Sequence, residues 1–326
     1  EIQGTEGNFT DLLADEGNSQ ISITDQNINV NSGTISVDNA NLLAATTSGT
    51  ITGSITTTET VDELQTLTGT GNAYTIVIAN GDATGSTATE FTSINGKTTV
   101  AIDASAVTGL ASDGASQIIT LLTAGNDTNQ FTSDSFSSLA TVVVSDTTLN
   151  GANLDSVIQR ANTLTGDTSV VADITAADEI QGTEARFTTL LTHEGNSQIS
   201  ITDQNLNVNS GTISVANANL LAATTSGTIT GSITTTEDVD TLKTLTGTHE
   251  YTIVIAAGDA TSSTASELTA INGATSLAVN ASAITALASD NISNINTLLT
   301  AGNDTNQFTS TSFGSLTGVT VSDTTL

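Results

Sequence analysis

The residues best placed to do chemistry are carboxylates that recur at a fixed distance along the chain. Asp25 and Asp203 are one such pair, and Asp82 and Asp259, Asp113 and Asp290, Asp127 and Asp304, and Asp146 and Asp323 are the others. Several follow a β-branched run directly, as in SITDQN and VVSDTT. A carboxylate there closes an Asx turn or caps the helical turn that follows, because its oxygens accept the N–H groups a turn leaves free. The same oxygens suit calcium. GNDTNQF, at 125–131 and again at 302–308, sets Asp127 two residues from Asn129 and Asp304 two residues from Asn306, and the excess of negative charge favours a hard cation. These four are the metal-ligand candidates. With no Gly at the sixth loop position and no Glu at the twelfth, neither stretch completes an EF-hand, so an ion is expected to bind loosely, between repeats or between molecules.

Other chemistry finds no footing. The two histidines, His193 and His249, stand where the other copy has Asp15 and a Gly71-Asn72-Ala73 stretch, which reads as incidental surface histidine. No His or Lys accompanies a serine at a repeated position, so a nucleophile has no base. Phosphate-cradling glycine motifs are absent, and without Cys there are no thiolate metal sites or disulfides. The chain therefore reads as a non-enzyme. Against 34 acidic side chains stand only Lys97, Arg160, Arg186 and Lys243, giving a net charge of −30. That field repels phosphate backbones and anionic headgroups, which excludes nucleic acid and insertion into membrane as modes of action. Self-association, with glycans as further candidate ligands, remains.

The elements that position these residues come from a tandem duplication. Residues 1–149 recur as 179–326, with 33 of 148 aligned positions different, and 150–178 connects the two copies. Because the second copy stops short of a counterpart to 150–178, the chain reads as a window from a longer array. Within each copy short β-branched runs (ISIT at Ile21, YTIVI at Tyr74, TTVAI at Thr98, SVVADI at Ser169) alternate with segments of helical spacing such as NANLLAA and ASQIITLL. A strand and a short helical segment per roughly 20 to 25 residues is the period of stacked parallel coils. The expected fold is mainly β, a parallel β-solenoid with short helical segments between strands, built from tandem repeats. Sandwich domains are the alternative, though the segments between strands are long and helical for hairpins.

Threonine, 66 of 326 residues, raises ice binding, but its pairs cluster in one stretch of each copy, and threonine serves strands and turns anyway. Carbohydrate recognition places aromatic faces beside polar groups. Tyr74, Tyr251, Phe131 and Phe308 are the candidates expected to be exposed. Runs such as LTGTGNAYTIVIANGDAT, NANLLAATTSGTITGSITTT and LLTAGNDTNQFTS resemble the strand-repeat regions of giant secreted surface proteins of cyanobacteria and other aquatic bacteria, often joined to haemolysin-type calcium-binding repeats. The resemblance spans essentially the whole chain. It implies an extracellular or cell-surface address and a structural role in a surface layer, fibre or matrix, with an adhesin or carbohydrate-binding module as the alternative. No catalytic residues come with it.

Overall fold

A computed structural model describes residues 1–324; Thr325 and Leu326, the last two residues of the second repeat copy, lie outside the described residues. The strands are β1 (Ile2–Thr5), β2 (Ile28–Ser32), β3 (Ile51–Ser54), β4 (Ala73–Thr75), β5 (Gly109–Asp113), β6 (Thr141–Val144) and β7 (Thr148–Asn150). They continue with β8 (Val171–Asp173), β9 (Glu179–Thr183), β10 (Asn205–Ser210), β11 (Ile229–Ser232), β12 (Glu250–Thr252), β13 (Ala286–Asp290) and β14 (Gly318–Val321). The helices are α1 (Glu6–Gly17), α2 (Val37–Thr46), α3 (Val61–Gln65), α4 (Ala88–Asn95), α5 (Ala115–Gly125) and α6 (Gly151–Thr165). After them come α7 (Glu184–Gly195), α8 (Val215–Thr224), α9 (Val239–Leu242), α10 (Ala265–Gly273) and α11 (Ile292–Gly302).

This composition corrects the expected fold. Helix accounts for 35% of residues and strand for 22%, so the protein is mixed α/β rather than mainly β, and its strands are divided among four separate parallel sheets rather than one solenoid ladder. The reason is local. Helical segments begin at strong caps and run on: Thr60 and Thr87 form capping boxes with Glu63 and Glu90, Thr264 with Glu267, and Ser36 and Ser214 cap α2 and α8. The β-branched runs, in contrast, engage neighbours only briefly. ISIT forms no strand, TTVAI contributes one isolated bridge, at Ile102, and YTIVI and SVVADI each give a strand of three residues.

Two compact units emerge. One comprises residues 1–146, 153–176 and 196–199; the other comprises 147–152, 177–195 and residues from Ser200 on. In the first unit β1-β2-β3-β4 pair in chain order, every pair parallel, and β5-β6-β8 form a second sheet. In the second unit the order is β12-β11-β10-β9-β7, with β13-β14 apart. A parallel partner needs a crossover, and the intervening helix supplies it. Apolar residues at alternate strand positions (Ile28, Val30 and Ile51; Leu206, Val208 and Ile229) are buried with Leu43 and Leu221 from the helices. The other face is polar. In register across it stand Gln3, Asn29 and Thr52 in one unit, and Gln181, Asn207, Thr230 and Glu250 in the other. Gly49 and Gly227 mark the closest approach of neighbouring backbones: a Cβ there would lie 2.3 Å from the Gln26 carbonyl oxygen and 2.4 Å from that of Gln204.

Where the copies differ at Ile119 and Asn296, Ile119 is half-buried on α5 and Asn296 is exposed on α11.

Candidate functional site

Of the recurring carboxylates, Asp113 and Asp290 end β5 and β13, Asp82 and Asp259 end short 3₁₀ turns, and most of the set face helix N-termini. Asp113 Oδ2 accepts the Thr89 N–H (2.8 Å) and hydroxyl (2.7 Å) at the start of α4, and Asp290 Oδ2 accepts the Ser266 N–H of α10 at 2.8 Å. Asp146 accepts from Ala115, the first residue of α5, at 2.7 Å, and Asp323 from Ile292 of α11 at 2.6 Å. Asp82 reaches the Val61 N–H of α3 at 3.3 Å. Each therefore caps the helix that precedes it in the chain rather than the turn that follows. Asp113 and Asp290 also hold the next residue's N–H with their other oxygen. Asp25 and Asp203 instead accept from their chain neighbours, the Gln26 amide and the Thr202 hydroxyl.

Sequence reasoning missed the strongest members of this set. Glu6 Oε1 accepts the Ser36 N–H (2.9 Å), the Ser36 hydroxyl (2.7 Å) and the Asn39 amide (2.7 Å). In the other copy Glu184 accepts from Ser214 N–H (2.9 Å), Ser214 hydroxyl (2.6 Å) and Asn217 (2.7 Å). Glu59 and Glu237 complete the pattern on Val37 and Val215. Their identity between copies was the available signal. A negative charge at a helix N-terminus meets both free N–H donors and the positive end of the helix dipole. Partial burial opposes ionisation of Glu6 and Glu184, yet the bonds from Ser36 and Asn39, and from Ser214 and Asn217, outweigh it and hold both below the usual carboxylate range. Asparagine does similar work: Asn41 donates to the Thr66 carbonyl and accepts from Thr68, as Asn219 does with Thr244 and Thr246.

The GNDTNQF loops are Asx turns. Asp127 Oδ1 accepts the Asn129 N–H (3.0 Å) and amide (2.9 Å), and Oδ2 accepts Gln130 (2.8 Å). Asp304 does the same with Asn306 and Gln307. The bonds from Gln130 and Asn129 hold Asp127 below the ordinary value, and those from Asn306 and Gln307 do so for Asp304. Asn129 and Asn306 thus present N–H₂ to the carboxylate, and an ion would need oxygens from outside the loop. Among the described residues no group of three or more His, Asp or Glu side chains is assembled as a metal cluster.

The aromatic candidates are not exposed. Tyr74, Tyr251, Phe131 and Phe308 are fully buried, Phe131 against Phe136 and Phe308 against Phe313 at 5.1 Å between ring centres. A carbohydrate face built on them is ruled out because the rings fill the core instead. Both tyrosine hydroxyls are buried without a hydrogen-bond partner, and burial pushes the Tyr74 phenol up to about 12 and that of Tyr251 higher still.

The histidines are not surface residues either. His193 is buried on α7, and His249 is partly buried, edge-on to Tyr251 at 5.5 Å. Its Nδ1 accepts the Ile229 N–H at 3.3 Å, the task Asn72 Oδ1 performs for Ile51 at 2.9 Å. Desolvation lowers its pKa, which keeps that nitrogen free to accept.

Asn8 and Asn291 are engaged at helix N-termini, in the capping box of α1 and as the N-cap of α11. Lys243 bridges Asp240 (2.5 Å) and Glu267 (2.8 Å) between α9 and α10, and these bonds raise its pKa. No helix among the described residues is long and apolar enough to cross a membrane.

Comparison with protein-family models, with curated proteins and with solved structures gives no match for this chain.

Proposed function

We propose that this chain is a structural, extracellular protein: a self-associating tandem-repeat segment of a bacterial surface layer, fibre or matrix. The observation that carries this reading is the use made of the acidic side chains. Most carboxylates retained in both copies are spent on capping helices and closing turns, an internal scaffolding task, and Tyr74, Tyr251, Phe131 and Phe308 lie in the core. No catalysis is assigned. Sequence resemblance supports the extracellular address, as does the lack of Cys and Met, which suits an oxidising exterior.

Assembly must overcome a charge of −30, whose field extends about 8 Å at physiological ionic strength. Sedimentation velocity and electron microscopy in sodium, magnesium and calcium chloride at matched ionic strength test the reading. Ordered assemblies that grow with concentration are expected once charge is screened. A monomer under every condition overturns it. If calcium outperforms the other salts and chelator reverses the effect, Asp127, Asn129, Asp304 and Asn306 become intermolecular ligands; equal behaviour in all three leaves screening alone.

A further inference from the structure

Four asparagines precede a glycine: Asn80, Asn95, Asn150 and Asn272. In such a pair the glycine backbone nitrogen can reach the asparagine side-chain carbonyl carbon, because no Cβ on the second residue shields it. Attack needs a free side-chain amide, an unbonded glycine N–H and a backbone able to leave its folded conformation.

Three of the four pairs are held. Asn95 ends α4, its Nδ2 donates to Gln130 Oε1 at 2.7 Å, and the Gly96 N–H donates to the Ser93 carbonyl at 3.1 Å. Asn272 lies within α10, and its Nδ2 donates to Gln307 Oε1 at 3.1 Å. Asn150 ends β7, which pairs with β9, and its Oδ1 accepts the Ala152 N–H at 2.9 Å. Gly151 beside it is buried, with the Gln181 carbonyl oxygen 3.3 Å from where a Cβ would stand.

Asn80 has none of these restraints. It and Gly81 are exposed in the 3₁₀ turn Asn80–Asp82, and among the described residues neither the Asn80 side chain nor the Gly81 N–H makes a hydrogen bond. The turn rests on the Asp82 N–H to the Ala79 carbonyl (3.1 Å) and the Ala83 N–H to the Asn80 carbonyl (3.3 Å), and a Cβ on Gly81 would meet nothing within 4 Å. Exposed backbone with so few contacts opens at low free-energy cost. The second copy carries Ala257 ahead of Gly258 at this place, so the reaction has no amide there.

We propose that Asn80 is a modification site, converted by water through a cyclic imide to aspartate and isoaspartate. The Gly81 nitrogen, deprotonated by hydroxide, bonds to Asn80 Cγ; the Cγ–Nδ2 bond breaks, and ammonia leaves with a proton from water. Water then opens the imide at either carbonyl, giving the ordinary backbone linkage or one through Cγ. Nothing is oxidised or reduced, and water is the reactant consumed. The new carboxylate stands two residues from Asp82, whose Oδ2 accepts the Val61 N–H of α3, and the iso form lengthens the backbone of that turn by a methylene. The inference goes beyond the structural reading and does not depend on it, because the conversion takes place on a single chain.

The test incubates the folded full chain at neutral and at mildly alkaline pH and follows it by peptide mapping with mass spectrometry and by methyl transfer from an isoaspartyl methyltransferase. Conversion at Asn80 at least tenfold faster than at Asn95, Asn150 or Asn272 is expected, and it should accelerate with pH. Gly81→Ala, which enters open space, should slow it at least tenfold, and Asn80→Ala, the residue of the second copy, should remove the fast methyl-accepting signal. In concentrated urea the four pairs should convert at similar rates. The proposal is overturned if Asn80 in the folded chain converts no faster than the three held pairs. It is also overturned if the ranking persists unchanged in urea, which would make local sequence rather than the fold the cause.

Discussion

Replacing Glu184 with Ala removes one oxygen that three donors share: the Ser214 N–H, the Ser214 hydroxyl and the Asn217 amide, all within 2.9 Å. A hydrogen bond to a charged group contributes about 1.5 to 3 kcal/mol, but these three converge on one half-buried carboxylate and water can replace part of the loss. The expected cost of Glu184→Ala is about 2 to 3 kcal/mol. Glu184→Gln keeps an acceptor and loses the charge at the start of α8, and should cost about 1 kcal/mol. With a urea dependence of about 1 to 3 kcal/mol per molar, the alanine variant should shift the midpoint by about 1 M. Glu6→Ala should cost the same, because its three distances match those of Glu184 to within 0.1 Å. The pH arm has a definite sign. The folded-state pKa of Glu184 is lowered, so its contribution is complete above the unfolded value of about 4.3 and disappears as pH falls through the folded value. The gap between wild type and Glu184→Ala should therefore hold from pH 7 to about 5 and close toward pH 3. A variant that unfolds with wild type at pH 7, or a gap independent of pH, refutes the argument that inter-coil carboxylate caps hold the repeats together.

Other outcomes follow from the same geometry. Tyr74→Phe and Tyr251→Phe delete buried hydroxyls that bond to nothing, and each should leave thermal stability unchanged or raise it by about 1 kcal/mol; a loss of that size would mean the hydroxyls are satisfied after all. His249→Asn restores the residue that serves at position 72 and should be near neutral, whereas His249→Ala strands the Ile229 N–H and should cost about 1 kcal/mol in urea unfolding. Because burial lowers the His249 pKa, protonation favours the unfolded chain, and the wild type should lose stability as pH drops below about 6.5 in a way the Asn variant does not. Gly227→Ala sets a methyl 2.4 Å from a backbone oxygen and should cost more than about 3 kcal/mol or prevent folding, while Gly258→Ala, with nothing within 4 Å, should be tolerated; circular dichroism melting of both checks the contrast.

How far the sequence could be read depended on the range of the interaction. Helix starts were legible because Thr60 with Glu63, or Ser36 with the Asn39 N–H, act over three residues. Asp146 on Ala115 and Glu6 on Ser36 act over 31 and 30 residues, and the position of one coil on the next decides which helix a carboxylate reaches. That is why a carboxylate such as Asp113 or Asp146, placed by sequence just before one helix, serves the helix before it instead. The buried tyrosines and His249 illustrate the same limit, since pattern places an aromatic on a strand but does not say whether a neighbouring coil covers it.

By itself the sequence determined the duplication, the alternation of β-branched and helical segments and the parallel pairing of strands, because each follows from period, caps and composition. Tertiary structure alone decided that helix outweighs strand, that the strands divide into four sheets, and that Asp146 caps α5. The physical reason is that ladder length and capping partner belong to pairs of segments far apart in the chain: which strand lies beside which, and which helix start a carboxylate meets, is set by packing and not by the local sequence.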